Sequence, residues 1–246
     1  MNVYSIIENK LIKMNIAIIL SGGIGTRLGA SIPKQYIEVD GKPIIYYCVE
    51  TFSKRKEIDC IIIGAAESWI DYLRDKLAHI EKPIHYAAPG ETRQLSIFNA
   101  LKKAKGLGVS DNDIVIIHDA ARPLVTDYII DQCIDGIAID HYDGVLPVIH
   151  MKDTIYLSEN GKDIKQLLNR DQLFAGQAPE SFLFGKYMKI HESMPIDQVA
   201  AIKGSTEIAY KGGMNVKLAE GSEMNFKITT PEDLVNFKNI IKNKEK

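Results

Sequence analysis

The apolar run Ile16-Ala17-Ile18-Ile19-Leu20 breaks abruptly into Ser21-Gly22-Gly23-Ile24-Gly25-Thr26-Arg27-Leu28-Gly29, and this junction constrains the fold more than any other stretch. Continuous aliphatic residues without polar alternation read as a strand buried on both faces, the habit of parallel sheets covered by helices. Glycines admit positive φ and carry no side chain, so backbone N–H groups can turn inward around phosphate oxygens. Arg27, and Lys34 within Pro33-Lys34-Gln35, set two cations beside that cradle. Such a loop suits a nucleoside triphosphate and the charge that develops during phosphoryl transfer. A tight turn with no ligand would account for the glycines but not for the cations.

Two better-known phosphate loops are excluded. A P-loop requires Gly-x-x-x-x-Gly-Lys-Ser/Thr, which is absent. The dinucleotide fingerprint Gly-x-Gly-x-x-Gly fails because Leu28 stands where its third glycine belongs, which argues against an NAD-dependent dehydrogenase. The net charge of −2 over 246 residues supplies no basic field for nucleic acid. No apolar run approaches the length of a membrane span. Cys48, Cys60 and Cys133 are few and far apart, as expected of reduced thiols in a cytoplasmic protein. Residues 1–13, ahead of Met14, read either as a short helical extension or as a stretch upstream of the true start.

Strands expected at Ile58–Gly64, Asp113–Ile117, Val145–Ile149 and Val216–Ala219 alternate with helical stretches, one of them Glu67–Ile80 with Trp69, Leu73 and Leu77 on one face. This alternation predicts an α/β fold with a single doubly wound, mostly parallel sheet. Ligands collect at the carboxyl ends of such strands, where His118-Asp119-Ala120-Ala121-Arg122-Pro123 emerges. Asp119 is there a candidate ligand for Mg²⁺ carried on a triphosphate, Arg122 a candidate fork for a phosphate, and His118 a structural imidazole. Tyr156–Gln166, with Asn160-Gly161 at its centre, reads as a hairpin turn in a β excursion off the main sheet. Thr230 and Pro231 read as the cap and first residue of a last helix.

Gly22-Gly23-x-Gly25-x-Arg27 followed by Pro33-Lys34-Gln35 resembles the signature of the cytidylyltransferases that act on methylerythritol 4-phosphate and ribitol 5-phosphate. Further matches are Gly90-x-x-Arg93-x-x-Ser96, the His118–Pro123 block, and Asn225-x-Lys227-x-Thr229-x-Pro231-Glu232-Asp233-Leu234, so the likeness runs from about Met14 to the end. It departs at Leu95, where the family often has Asp, in the longer spacing from Val148 to Asp153, and at Ser205-Thr206-Glu207, which lacks the family's Asp.

The resemblance implies a Rossmann-like nucleotidyltransferase domain over residues 14–246, with a protruding dimerisation arm at about 150–178. It implies that Leu20, Ser21, Gly22, Gly23, Gly25, Gly90, Arg93, Ser96, Asp119 and Ala120 meet the nucleotide, and that Arg27, Lys34 and Lys227 serve the chemistry. Arg122, with Thr154 and Arg170 reaching across a homodimer, would hold the acceptor, and Mg²⁺ would assist. The expected reaction joins CTP and an alditol phosphate into a CDP-alditol and pyrophosphate. Glu67-Ser68-Trp69-Ile70 looks like the ribitol branch and His-Asp-Ala-Ala-Arg-Pro like the methylerythritol branch; ribitol 5-phosphate is the acceptor expected first. A non-catalytic nucleotide-binding protein on the same fold is the remoter reading.

Overall fold

The structure, a computed structural model, describes residues 14–23 and 32–244. Gly25, Arg27 and the extension ahead of Met14 lie outside the described residues. After strand β1 (Asn15–Leu20), a short 3-10 turn spans Lys34–Tyr36, with Pro33 just ahead of it. The ribbon β2 (Glu38–Val39) and β3 (Lys42–Pro43) then feeds helix α1 (Ile44–Lys54). Strand β4 (Cys60–Gly64), helix α2 (Ile70–Lys76), strand β5 (Ile84–Ala87), helix α3 (Arg93–Gly106) and strand β6 (Ile114–Asp119) follow. Helix α4 (Asp127–Ala138) leads to β7 (Gly144–His150).

Beyond β7 the chain makes its expected excursion, the hairpin β8 (Ile155–Leu157) and β9 (Gln166–Leu168). Asn160 shapes the tip, its side-chain oxygen accepting the N–H groups of Lys162 and Asp163 at 2.9 and 3.0 Å. Return is through β10 (Phe174–Gly176) and β11 (Glu180–Leu183). Helices α5 (Phe184–Ser193), α6 (Ile196–Ala201) and α7 (Ser205–Lys211) precede β12 (Val216–Glu220) and α8 (Pro231–Lys244).

One eight-stranded sheet has the order β10-β7-β11-β6-β1-β4-β5, with β12 paired to β7. β1 is parallel to β4 and β6, β4 to β5, and β12 to β7. β10 and β11 run antiparallel to their neighbours. A strand that returns from the arm without a helical crossover must reverse direction, so the sheet is mostly rather than wholly parallel. Helices cover both faces, and the two-residue period of β1 divides its side chains between them. Ala17 and Ile19 pack with Val49 and Phe52 of α1 and Ile130 of α4; Ile16 and Ile18 pack with Ile97 and Leu101 of α3 and Tyr187 of α5.

Helix α2 is shorter than its apolar spacing predicts, stopping at Lys76, although Leu73 and Leu77 are buried as expected. Trp69 lies in a 3-10 turn and stacks on Tyr36 with ring centroids 4.3 Å apart, a packing role. At the other end, Thr230 caps α8 as expected, accepting the Asp233 N–H at 3.2 Å, while the Asp233 carboxylate accepts the N–H groups of Thr229 and Thr230 at 2.7 and 2.8 Å. Phe237 and Ile241 of α8 close a smaller core on Val39, Ile44, Leu124 and Ile228. That core anchors the segment just ahead of α8 beside the end of β6, where the Ile228 N–H donates to the Ala121 carbonyl at 2.8 Å. Phe237 has no exposed surface, so Phe237→Ala is expected to lower the unfolding free energy by about 3–5 kcal/mol. Denaturant titration of the two proteins checks this.

Candidate active site

The carboxyl ends of β1 and β6 open into a cleft of about 320 Å³. Leu20, Gly22, Gly23 and Lys34 line one side, Gly90, Arg93 and Ser96 another, and Asp119, Ala120 and Lys227 the floor. These residues come from separate motifs of the sequence and meet where the topology of an open α/β sheet puts a ligand. A hollow of about 470 Å³ beside β5, lined by Arg74, Lys82 and Tyr86 among others, contains none of the motif residues.

Local chemistry explains how the loops hold their shape. Ser21 is buried beneath the cleft, its Oγ 2.5 Å from the Tyr36 hydroxyl. The Gln35 amide donates to the carbonyls of Ser21 at 2.5 Å and Gly23 at 2.9 Å, occupying two oxygens that would repel an anion. A Cβ on Gly22 would stand 2.5 Å from Cβ of Pro89, and one on Gly90 2.8 Å from the Ser96 nitrogen, so only glycine allows these two loops to approach. The Ser96 hydroxyl accepts the Gly90 N–H at 2.9 Å and donates to the Thr92 carbonyl at 3.0 Å, so it also builds the 90–92 turn.

At the floor, cations converge on one carboxylate. Asp119 accepts from Lys227 Nζ at 2.8 Å and Arg93 Nε at 3.2 Å, with Arg122 Nε 3.9 Å away. Burial raises its proton affinity, but Arg93, Lys227 and Arg122 outweigh burial and hold the carboxyl well below the ordinary carboxylate range. Arg122 also donates to the Asn225 carbonyl at 2.6 Å, and Lys34 Nζ to the Ile228 carbonyl at 2.6 Å. The segment before α8 is thereby fastened to both the loop side and the β6 side of the cleft.

Arg122 additionally lines a neighbouring cleft of about 450 Å³ with Ile149, His150, Gln177 and Phe226 among others. Thr154 and Arg170 lie off both clefts, in a hollow on the arm, where Arg170 donates to the Lys152 carbonyl at 2.7 Å. Sequence reading passed over Glu180, whose carboxylate accepts from Arg93 Nη2 at 3.3 Å and from the Thr206 N–H and hydroxyl at 2.9 and 2.7 Å. Its signal was an acid beside the apolar Phe182-Leu183 of a short strand. Gln35 was seen in its triplet without a role.

The sequence profile described as 2-C-methyl-D-erythritol 4-phosphate cytidylyltransferase (IspD) matches residues 15–243. The chain belongs to this family. It is 36% identical to the ribitol-5-phosphate cytidylyltransferase of Vibrio parahaemolyticus, with 94% of this chain and 98% of that one covered. It is 38% identical to the 2-C-methyl-D-erythritol 4-phosphate cytidylyltransferase of Clostridium kluyveri, covering 94% and 97%. Among solved structures it is similar to the 4-diphosphocytidyl-2C-methyl-D-erythritol synthase of Anaerococcus prevotii, with TM-score 0.77, 25% identity and 94% and 99% covered. The Francisella tularensis 2-C-methyl-D-erythritol 4-phosphate cytidylyltransferase gives TM-score 0.76 and 26% identity over 92% and 99%. The chain is therefore a cytidylyltransferase that draws its cytidylyl group from CTP, and the resemblance read from its motifs holds.

In this cytidylyltransferase His118 is fully buried, with Nε2 2.8 Å from the Arg122 carbonyl, and burial lowers its pKa from 6.5 to about 4. It is neutral at working pH and supports the loop rather than exchanging protons. Because the unfolded chain binds that proton more readily, stability is complete above about pH 6.5 and is lost as pH falls toward about 4. The loss attributable to this group is roughly 3 kcal/mol. Denaturant midpoints between pH 7 and pH 4 should therefore fall steeply, and His118→Asn should flatten that part of the profile.

Proposed function

We propose that this cytidylyltransferase couples CTP to ribitol 5-phosphate, giving CDP-ribitol and pyrophosphate. The observation that carries the reading is the convergence of Lys34, Arg93 and Lys227 with Asp119 in the glycine-walled cleft. A phosphate oxygen of the acceptor attacks the α-phosphorus of CTP; a new P–O bond forms as the bond to the bridging β-oxygen breaks, and pyrophosphate leaves with that electron pair. The acceptor monoester is already anionic near neutral pH, so alignment and charge stabilisation dominate the barrier and a general base is unnecessary. Lys34 and Lys227, joined by Arg27 of the glycine-rich loop, neutralise the crowded phosphates. Glycine walls admit the triphosphate close to the backbone, and Arg122 grips the acceptor phosphate.

The donor set also fits Mg²⁺. Asp119 offers one hard carboxylate in the cleft, and no group of three or more His, Cys, Asp and Glu side chains able to hold a metal occurs among the described residues. A cation there would take most of its ligands from phosphate oxygens and water, as Mg²⁺ does. When bound, it supplies neutralisation across the triphosphate.

Ribitol 5-phosphate is favoured by the Vibrio parahaemolyticus relative and by the Trp69 segment, whose indole stacks on Tyr36. Methylerythritol 4-phosphate is the second reading, favoured by the Clostridium kluyveri relative and the family profile. A homodimer joined through the arm belongs to the proposal, with Thr154 and Arg170 serving the partner's acceptor. Exposed Tyr156, Ile164 and Leu167 on the arm support such pairing. A cytoplasmic setting is supported by the buried free thiols of Cys48, Cys60 and Cys133.

Pyrophosphate release measured with CTP and each acceptor tests the reading. Ribitol 5-phosphate should exceed methylerythritol 4-phosphate at least about tenfold in kcat/KM. The reverse order would move the assignment to the second reading, and CTP binding without release from either acceptor would support a non-catalytic protein. Lys34→Ala and Lys227→Ala should each lower kcat/KM by about 10²–10³, and Lys227→Ala, which leaves the buried Asp119 one cation short, should lower the melting temperature as well. Sedimentation at the mass of one chain would remove the homodimer.

A further inference from the structure

We propose that Glu180 is the positioning residue for the Arg93 guanidinium and thereby sets the affinity of the cleft for its nucleotide, an inference that rests on reading the cleft as the CTP site. Glu180 lies on β11 with 7% of its surface exposed and does not line the cleft. A buried carboxylate is costly unless its oxygens are bonded. Here both are used: Oε1 accepts from Arg93 Nη2 at 3.3 Å, and Oε2 accepts the Thr206 N–H and hydroxyl at 2.9 and 2.7 Å. Held from behind by α7, Glu180 cannot swing away from Arg93.

Arg93 is gripped on three sides, by Asp119 from β6, Glu180 from β11 and the Ser205 hydroxyl from α7. A guanidinium fork fixed by three elements has given up its rotamer freedom before any ligand arrives, so less is lost on binding. The two carboxylates differ in one decisive respect. Asp119 lines the cleft and must respond to whatever charge enters it, whereas Glu180 is screened behind Arg93 and keeps its hold. Thr206, which the sequence left without a role, buttresses Glu180 rather than meeting substrate.

Calorimetric titration of CTP into the full chain tests this with Glu180→Gln, Thr206→Val, Arg93→Ala and the Arg93→Ala/Glu180→Gln pair. Glutamine keeps the shape but removes the charge and turns an amide N–H₂ toward a donor. Glu180→Gln should weaken CTP at least about tenfold, raising KM for CTP while kcat falls less than about threefold. Thr206→Val should move affinity the same way by a smaller factor. In the Arg93→Ala background Glu180→Gln should add less than about twofold, because the group it positions is gone. Wild-type affinity in Glu180→Gln, or a full additional loss on top of Arg93→Ala, overturns the proposal. Should Glu180→Gln fail to fold, unchanged CTP affinity in Thr206→Val overturns it equally. An unsubstituted protein that binds no CTP overturns the nucleotide reading itself, and this inference falls with it.

Discussion

A carboxylate with 9% of its residue surface exposed stays ionised only if cations surround it, and Asp119 is surrounded by Arg93, Lys227 and Arg122. Each partner comes from a different part of the chain. Arg93 opens α3, Arg122 follows the turn after β6, and Lys227 stands in the segment that α8 anchors. One anion therefore draws three distant pieces of backbone to the same end of the sheet. The converse also holds, since cations packed this closely would repel one another with nothing between them. On the proposed reading, Asp119 in the free protein stands in for the negative charge that a triphosphate brings, while Glu180 keeps its hold on Arg93. Binding then exchanges one set of ion pairs for another instead of building the cleft from nothing.

The sheet supplies the rigidity that this exchange requires. β1 and β6 are adjacent, parallel and in register from Asn15 against Ile114 to Leu20 against Asp119, so the glycine-rich loop and the Asp119 turn start from the same level. Their hydrogen-bonded ladder leaves the relative height of the two loops little room to vary. The Gln35 amide and the Tyr36 hydroxyl then tie the first turn of the glycine loop to the layer below. Close backbone approach at Gly22 and Gly90 completes the walls.

Much of this was legible in the sequence, for identifiable reasons. Uninterrupted aliphatic runs such as Ile16–Leu20 read as buried parallel strands because nothing but burial on both faces explains them. Asp119 read as a site residue because it ends such a strand, and the Thr230-Pro231 start of α8 because capping chemistry is local. What escaped depends on contacts between distant residues. The antiparallel direction of β11 follows from how the arm returns, which no periodicity in Glu180–Leu183 encodes. Glu180 itself sits 87 residues from Arg93, so its partner is invisible along the chain. Thr154 and Arg170 lie on the β excursion, off both clefts of the same chain.

The attachment of Lys34 to the Ile228 carbonyl spans 194 residues, and Lys227 beside it reaches Asp119 across 108. Folding during synthesis proceeds from the amino terminus, so the sheet end carrying Asp119 can form while the segment bearing Lys227 is still unmade. The cationic floor is consequently the last piece to be delivered. A nascent chain whose Lys227 is still unmade therefore holds an unfinished cleft.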